Sequence, residues 1–370
     1  MKYPRESFFQ KITKFWLWIS LIILVVLIKI ISFFPAVVEK YFTYGIYPGI
    51  SKVQRLLFGW IPFSIGDILY ALIVLYFLAK IFQLVKIVFQ RKFSKSVVKS
   101  LARQLLFFAL LVYVFFYSLW GLNYSRQGIS SQLGLNVQKY NTSDLDTLTG
   151  ILQRRLNLYA SLYDSAQRSS LFNRKTLFHK STEAYKQANK QFPFLKYSHI
   201  SLKPSMYTYM AQFFGFTGYY NPFTGEGQLR TNVPIFIQPF ISTHEIAHQL
   251  GYAKENEANF VAFLVCKSYN DNEFKYSLYF DLYSYAISEL ANYDKTLTRK
   301  YFMTLDPQVK KDRVELLRFF SSRRNIIEPF VLRVYDQYLR LNNQPQGRRT
   351  YNEVLAWLIA YYKKYGTDSI

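Results

Sequence analysis

Three apolar stretches in the first third of the chain set the strongest limit on its architecture. They run from about Phe15 to Phe34, Ile65 to Phe89 and Leu105 to Leu122. Each is close to the ~20 residues that an α-helix needs to cross a hydrocarbon core. In that solvent a helix satisfies its own backbone hydrogen bonds, which an open strand or loop cannot do. The charges they contain lie towards the ends, Lys29 in the first and Asp67, Lys80 and Lys86 in the second, where long side chains reach the headgroups. Trp and Tyr gather near several ends, as interfacial anchors do. The first stretch is long for a signal-peptide core, lacks an A-x-A site and is followed by two more spans, so it reads as retained.

Loop charges orient the three spans. Lys2, Arg5, Lys11 and Lys14 precede the first, and Arg91, Lys92, Lys95, Lys99 and Arg103 separate the second from the third. The longer connection between spans one and two holds only Lys40, Lys52 and Arg55. The positive-inside rule then places the N-terminus in the cytoplasm and everything after residue 122 outside. The expected protein is integral to a bacterial inner or cytoplasmic membrane, with the lipid bilayer as its first partner.

The formal net charge is +23, with 15 Lys/Arg against 3 Asp/Glu in residues 1–122 and 31 against 20 in the remainder. A surplus spread so evenly, with no nucleic-acid-binding motif beside it, predicts no nucleic-acid partner. The lone cysteine, Cys266, rules out an intramolecular disulfide and a cysteine-based metal site.

From Asn123 onward no apolar run reaches membrane length. Residues 142–190 carry apolar positions at helical spacing, such as Leu152, Leu156, Tyr159 and Tyr163. Residues 215–240 are rich in Gly, Pro, Thr and aromatic side chains, so turns and short strands are expected there. Helical patterning returns from Ser242. The predicted fold is mainly α, a bundle of three transmembrane helices (residues 1–122) followed by a mostly helical, zincin-like domain with a small β element (residues 123–370).

Within that second part lies His244-Glu245-Ile246-Ala247-His248. On a helix, histidines four apart project from one face, so both imidazoles can bind a single Zn²⁺, and the Glu after the first can reach a water there as general base. Only four histidines are present, with His179 and His199 the others, so chance rarely makes two of them frame this pattern. Ser242 or Thr243 offers an N-cap for a helix entered after Pro239, and Gly251 a stop beyond His248.

A zinc peptidase site takes a third protein ligand. Glu255 and Glu257 both follow closely, at the start of a second helix. The arrangement resembles the gluzincins, in which a downstream Glu completes the site and an Asp or Asn four residues later supports the first histidine. Glu255 and Asn259 have that spacing, and Ala258 and Ala262 share their face. Glu257 points ~200° away from Glu255 at ~100° per residue, which favours Glu255 and leaves Glu257 as the alternative. The separation from the HExxH motif is shorter than gluzincins usually have, so the chain must fold back at Gly251-Tyr252. The transition-state anion also needs a donor; Tyr219, Tyr220 and Arg230 are candidates, with His179 and His199 behind them. Gly225–Ile237 is expected to form the cleft's edge strand, holding a peptide by strand addition.

Four stretches together, residues 61–70, 218–234, 239–260 and 338–351, resemble an uncharacterised bacterial family of membrane-anchored HExxH proteins, classified as a domain of unknown function. That resemblance implies metallopeptidase character and places Gln344, Gly347 and Tyr351 at the border of the site. The expected function is a membrane-anchored zinc metallopeptidase that cuts a peptide or protein substrate with Glu245 as base. The alternative is a zinc-binding membrane sensor or scaffold, which has no need of Glu245. An intramembrane protease is disfavoured because Pro234, Gln238, Pro239, Gln249, Lys254, Glu255 and Glu257 flank the motif.

Overall fold

The computed structural model describes residues 8–91, 94–162, 165–213, 215–347 and 353–370. Lys2, Arg5, Lys92, Tyr163 and Tyr351 of the sequence reading lie outside those residues. Three helices, Phe8–Ser32, Ile65–Phe89 and Lys95–Leu119, are long and apolar enough to cross a membrane. Their outward faces carry exposed Leu, Ile, Val and Phe, for example Leu72, Leu75, Ile81 and Phe82, as lipid-facing helices require. The first and second both meet the third, through Trp18 on Phe107 and through Tyr76 and Phe77 on Phe108.

Several boundaries differ from expectation. The first helix stops at Ser32 because Phe34 precedes Pro35 and takes an extended φ of −118°, a conformation that proline imposes on its predecessor. The third begins at Lys95, ten residues early, because Ser94 caps it by accepting from the Val97 N–H and its basic residues lie on one continuous helix. It ends at Leu119, where Trp120 leaves helical geometry and a short 3₁₀ turn, Gly121–Ser125, follows.

The connection between the first two spans is itself helical, a π-helix over Val38–Ile46 running into an α-helix over Tyr47–Phe58. One side is buried: Val38, Phe42 and Tyr47 form a small core with Trp120, Leu122, Tyr124 and Ala253. A buried ion pair clamps it in place. Arg126 donates to both carboxylate oxygens of Glu39, at 3.0 and 2.8 Å, and to the Gly251 carbonyl at 3.1 Å. Burial would raise the Glu39 carboxyl, but the Arg126 guanidinium outweighs it and holds the group below its usual range.

The larger core lies among the helices Thr142–Ser161, Arg174–Ala188, Gln238–Gln249, Glu255–Ser268, Asn272–Tyr293 and Val354–Tyr365. Against it sits a three-stranded sheet of β1 (Leu202–Pro204), β2 (Gly218–Asn221) and β3 (Glu226–Leu229), in the order β1-β3-β2. β3 is parallel to β1 and antiparallel to β2. The stretch 225–237 is therefore not an edge strand. It holds the central strand, and Ile235–Ile237 turns into 3₁₀ helix after Pro234, which has no N–H for a ladder. The edge beside the motif helix belongs to β2. Arg230 N–H bonds the Thr217 carbonyl, and because paired residues alternate in an antiparallel ladder, Gly218 and Tyr220 turn their backbone groups away from β3.

Breaking a buried ion pair from one side costs about 3–5 kcal/mol. Glu39→Gln is accordingly expected to lower the thermal unfolding midpoint of the purified chain, and Glu39→Gln with Arg126→Met to recover part of the loss. An unchanged midpoint for the single variant would show that the clamp contributes nothing.

Candidate metal centre

Every residue of the helix Gln238–Gln249 is buried. It starts one turn earlier than Ser242 or Thr243 would set it, with Pro239 in its first turn and no side-chain cap. Both hydroxyls sit inside the helix instead and donate back to its carbonyls, Ser242 to Pro239 and Thr243 to Phe240, each at 2.8 Å. Proline explains the shift, since its fixed φ suits the first turn and its missing N–H needs no cap there. The stop falls where expected. Gly251 takes φ +84°, its N–H bonds the His248 carbonyl, and the Tyr252 N–H reaches back to Ala247, the paired bonds of a Schellman turn.

This helix meets the sheet through two glycines. A Cβ on Gly218 would stand 2.4 Å from Glu245 Oε1, and one on Gly227 would stand 3.1 Å from Glu245 Cβ. On its other side Ala258 and Ala262 of the second helix are fully buried, which lets the two axes approach closely.

The sharp turn brings Glu255 back over the histidine pair. Nε2 of His244 and Nε2 of His248 lie 3.1 Å apart, and Glu255 Oε2 lies 3.2 Å from the first and 3.5 Å from the second. Among the described residues this is the group of three ligand-type side chains close enough to hold one metal ion. The rings are set from behind. His244 Nδ1 faces Asn259 Oδ1 and His248 Nδ1 faces the Tyr252 carbonyl, both at 2.8 Å, so each Nδ1 is engaged from behind and each Nε2 is the nitrogen turned toward Glu255. Two imidazole nitrogens and a carboxylate oxygen turned on one another in a buried place need a proton or a metal cation among them. The donor set fits a metal.

The electrostatics follow from burial and this crowding. Burial pushes the Glu245 carboxyl up to about 8, and its Oε2 makes no hydrogen bond among the described residues. Burial also lowers the His244 imidazole. The equally buried His248 is instead raised to about 9, mainly by the Glu255 carboxylate. Glu255 in turn is held far below the usual carboxylate range by His248 and His244, against the cost of its own burial.

Glu257 does not join the group. Its carboxylate lies beside Gly128, 3.6 Å from Lys254 Nζ. Tyr219 is tied to Asp67 Oδ1 at 2.6 Å and to Ser205, and the Tyr220 ring packs 5.0 Å from Trp120. Arg230 is turned onto the Phe319 ring and Asn232 Oδ1. His179 and His199 are exposed, away from the triad. Gln344 does border it, accepting from the Glu255 N–H at 3.1 Å, and Gly347 turns with φ +58° against Asp336.

Four contacts were not readable from the motif. Tyr335, on the helix Glu328–Leu341, donates to Glu255 Oε1 at 2.8 Å, which leaves Oε2 to the histidines. Trp120 Nε1 donates to the His248 carbonyl at 3.0 Å. Tyr47 Oη and Ser51 Oγ both donate to the Gln249 carbonyl at 2.8 Å. The only signal for the last three is general: the final carbonyls of any buried helix need partners.

A family model described as "Protein of unknown function (DUF3810)" matches residues 42–359. No curated protein and no solved structure matches the chain.

Holding a non-glycine residue in the left-handed region costs about 1–3 kcal/mol, and a Cβ on Gly251 would also meet Tyr47 Cε1 at 2.9 Å and Asn123 Oδ1 at 3.0 Å. Gly251→Ala is therefore expected to lose at least that much stability in a denaturant titration. A titration that overlays wild type would mean the turn is not under this constraint.

Proposed function

We propose that this chain, which belongs to the DUF3810 family, is a membrane-anchored zinc metallopeptidase of zincin-like design. The observation that carries the reading is the convergence of His244 Nε2, His248 Nε2 and Glu255 Oε2, with the unbonded Glu245 Oε2 on the same helix. Two imidazoles and one carboxylate are the donor set of catalytic zinc sites that keep a fourth position open. A zinc ion held there would supply Lewis acidity, polarising a peptide carbonyl and acidifying water.

The chain's own residues divide the remaining work. Glu245 takes a proton from the attacking water on Oε2 and returns it to the leaving nitrogen; its burial keeps that carboxylate poorly solvated and basic. Asn259 and the Tyr252 carbonyl fix the tautomer and tilt of the two rings. Tyr335 holds Glu255 so that only one oxygen faces the histidines. The backbone groups of Gly218 and Tyr220, which point away from β3, are the edge we assign to an extended substrate, since Gly218 passes directly over Glu245.

The spans enter the same reading. The C-terminal end of the first, the N-terminal end of the second and the C-terminal end of the third all run into residues that pack around the site. With Arg91, Lys95, Lys99 and Arg103 at the opposite end, the N-terminus is assigned to the cytoplasm and the catalytic part to the outer face.

Purified protein is expected to hold one zinc per chain and to lose it in His248→Ala and Glu255→Ala. Glu245→Gln should keep the zinc while cleavage of a mixed-peptide library falls by about 10²-fold or more. Protein without stoichiometric zinc would sink the metal assignment. Zinc retained by a wild type that cleaves nothing would favour the sensor or scaffold.

A further inference from the structure

The helical connection between the first two spans buries a polar face and exposes an apolar one. Tyr47, Ser51, Gln54 and Arg55, at i, i+4, i+7 and i+8, face the folded part and are buried. The other side presents Ile46, Val53, Leu57 and Trp60, of which Trp60 is 78% exposed, Ile46 61% and Leu57 57%. A helix facing water carries charged and polar residues on that side. Here, at helical spacing, the outer stripe is aliphatic and aromatic instead, and the connection's exposed cations, Lys40 and Lys52, lie off it.

What covers that stripe is fixed by connectivity. The segment leaves one membrane-length helix at Ser32 and enters the next at Ile65, so both its ends stand at one bilayer surface. A second element lies at the same level. Asp67, in the first turn of the second span, accepts from the Met206 N–H at 2.8 Å, and its backbone carbonyl accepts from Tyr207 Oη at 2.6 Å. That contact sets exposed Met206, Tyr209 and Met210 beside the span's entrance. Aromatic and aliphatic side chains on an in-plane helix are how a chain seats itself at the boundary of headgroups and acyl chains.

We infer that residues 37–60 form an in-plane platform whose outer stripe is embedded in the bilayer surface, with the 206–210 loop beside it. The inference rests on the reading of the three apolar helices as spans. The platform's inner face caps the motif helix through Tyr47 and Ser51, so the triad is fixed against the membrane. Substrates suited to it are polypeptide segments emerging from, or lying on, that surface.

Spin labels on single cysteines test this in the full-length chain with Cys266→Ala, reconstituted in vesicles of mixed zwitterionic and anionic phospholipid. Labels at Val53, Leu57 and Trp60 are compared with Leu75 in the second span and with Met303, exposed on the folded part. The platform labels are expected to collide with oxygen in preference to a water-soluble nickel chelate, with a ratio several-fold above that of Met303 and near that of Leu75. Platform labels that match Met303 while Leu75 stays lipid-exposed would overturn the platform and leave the spans standing. Leu75 matching Met303 would overturn both. Retained secondary structure in each labelled variant, read by circular dichroism, ensures that the ratios report the native arrangement.

Discussion

Two imidazole nitrogens held 3.1 Å apart in a water-poor place are the arrangement on which the rest of this molecule depends. Left to themselves, two buried rings have no reason to aim their Nε2 atoms at one point. They do so because each ring is pinned from its far side, one by a side-chain amide and the other by a main-chain carbonyl. Those two partners come from opposite ends of a very short connection. Tyr252 closes the first helix's terminal turn and Asn259 lies in the second helix. The tight reversal at Gly251 thus does two jobs, orienting His248 through Tyr252 and delivering Glu255 and Asn259 to the pair.

A short connection of this kind leaves little slack, and the surroundings are built accordingly. The motif helix ends in buried carbonyls that cannot reach water, each of which would cost free energy comparable to a lost hydrogen bond. Their partners are Trp120 from the end of the third apolar helix and Tyr47 and Ser51 from the segment between the first two. Arg126 adds a bond to the Gly251 carbonyl while paired with Glu39 of the same segment. The metal-type cluster therefore draws its support from the end of the third apolar helix and from the connection between the first two.

How much of this was legible in the sequence follows from the range of each interaction. HExxH and the Glu255–Asn259 pair are local patterns in which helical period dictates geometry, and the spacing that favoured Glu255 over Glu257 matches which carboxylate meets the histidines. The three long helices were legible because membrane length is a coarse and forgiving signal; their ends were not, since Pro35 and Ser94 act through single backbone groups. Ser242 and Thr243 misled because a hydroxyl that caps one helix can donate to a carbonyl inside another. The 225–237 strand misled for another reason: composition marks extended chain but is silent on which strand lies at an edge. Tyr335 reaches Glu255 across 80 residues of sequence, and no periodicity encodes such a contact.

In the arrangement we propose, the connection 35–64 satisfies two solvents at once. Ordinary amphipathic reasoning assigns a helix one apolar face, and a chain reader counting charges sees only a loop poor in Lys and Arg. In the topology we propose, the scarcity of charge that orients the spans also leaves the outer stripe to meet lipid, while the inner stripe supplies hydroxyl and guanidinium donors to a helix end. Topology and site support are thus written in one set of residues. A charge added to the outer stripe would act on both, through the cost of placing it at the acyl boundary and through the register of Tyr47 and Ser51 on the Gln249 carbonyl. In that reading the coupling ties the position of the histidine pair to the bilayer more directly than a flexible tether after the last span would.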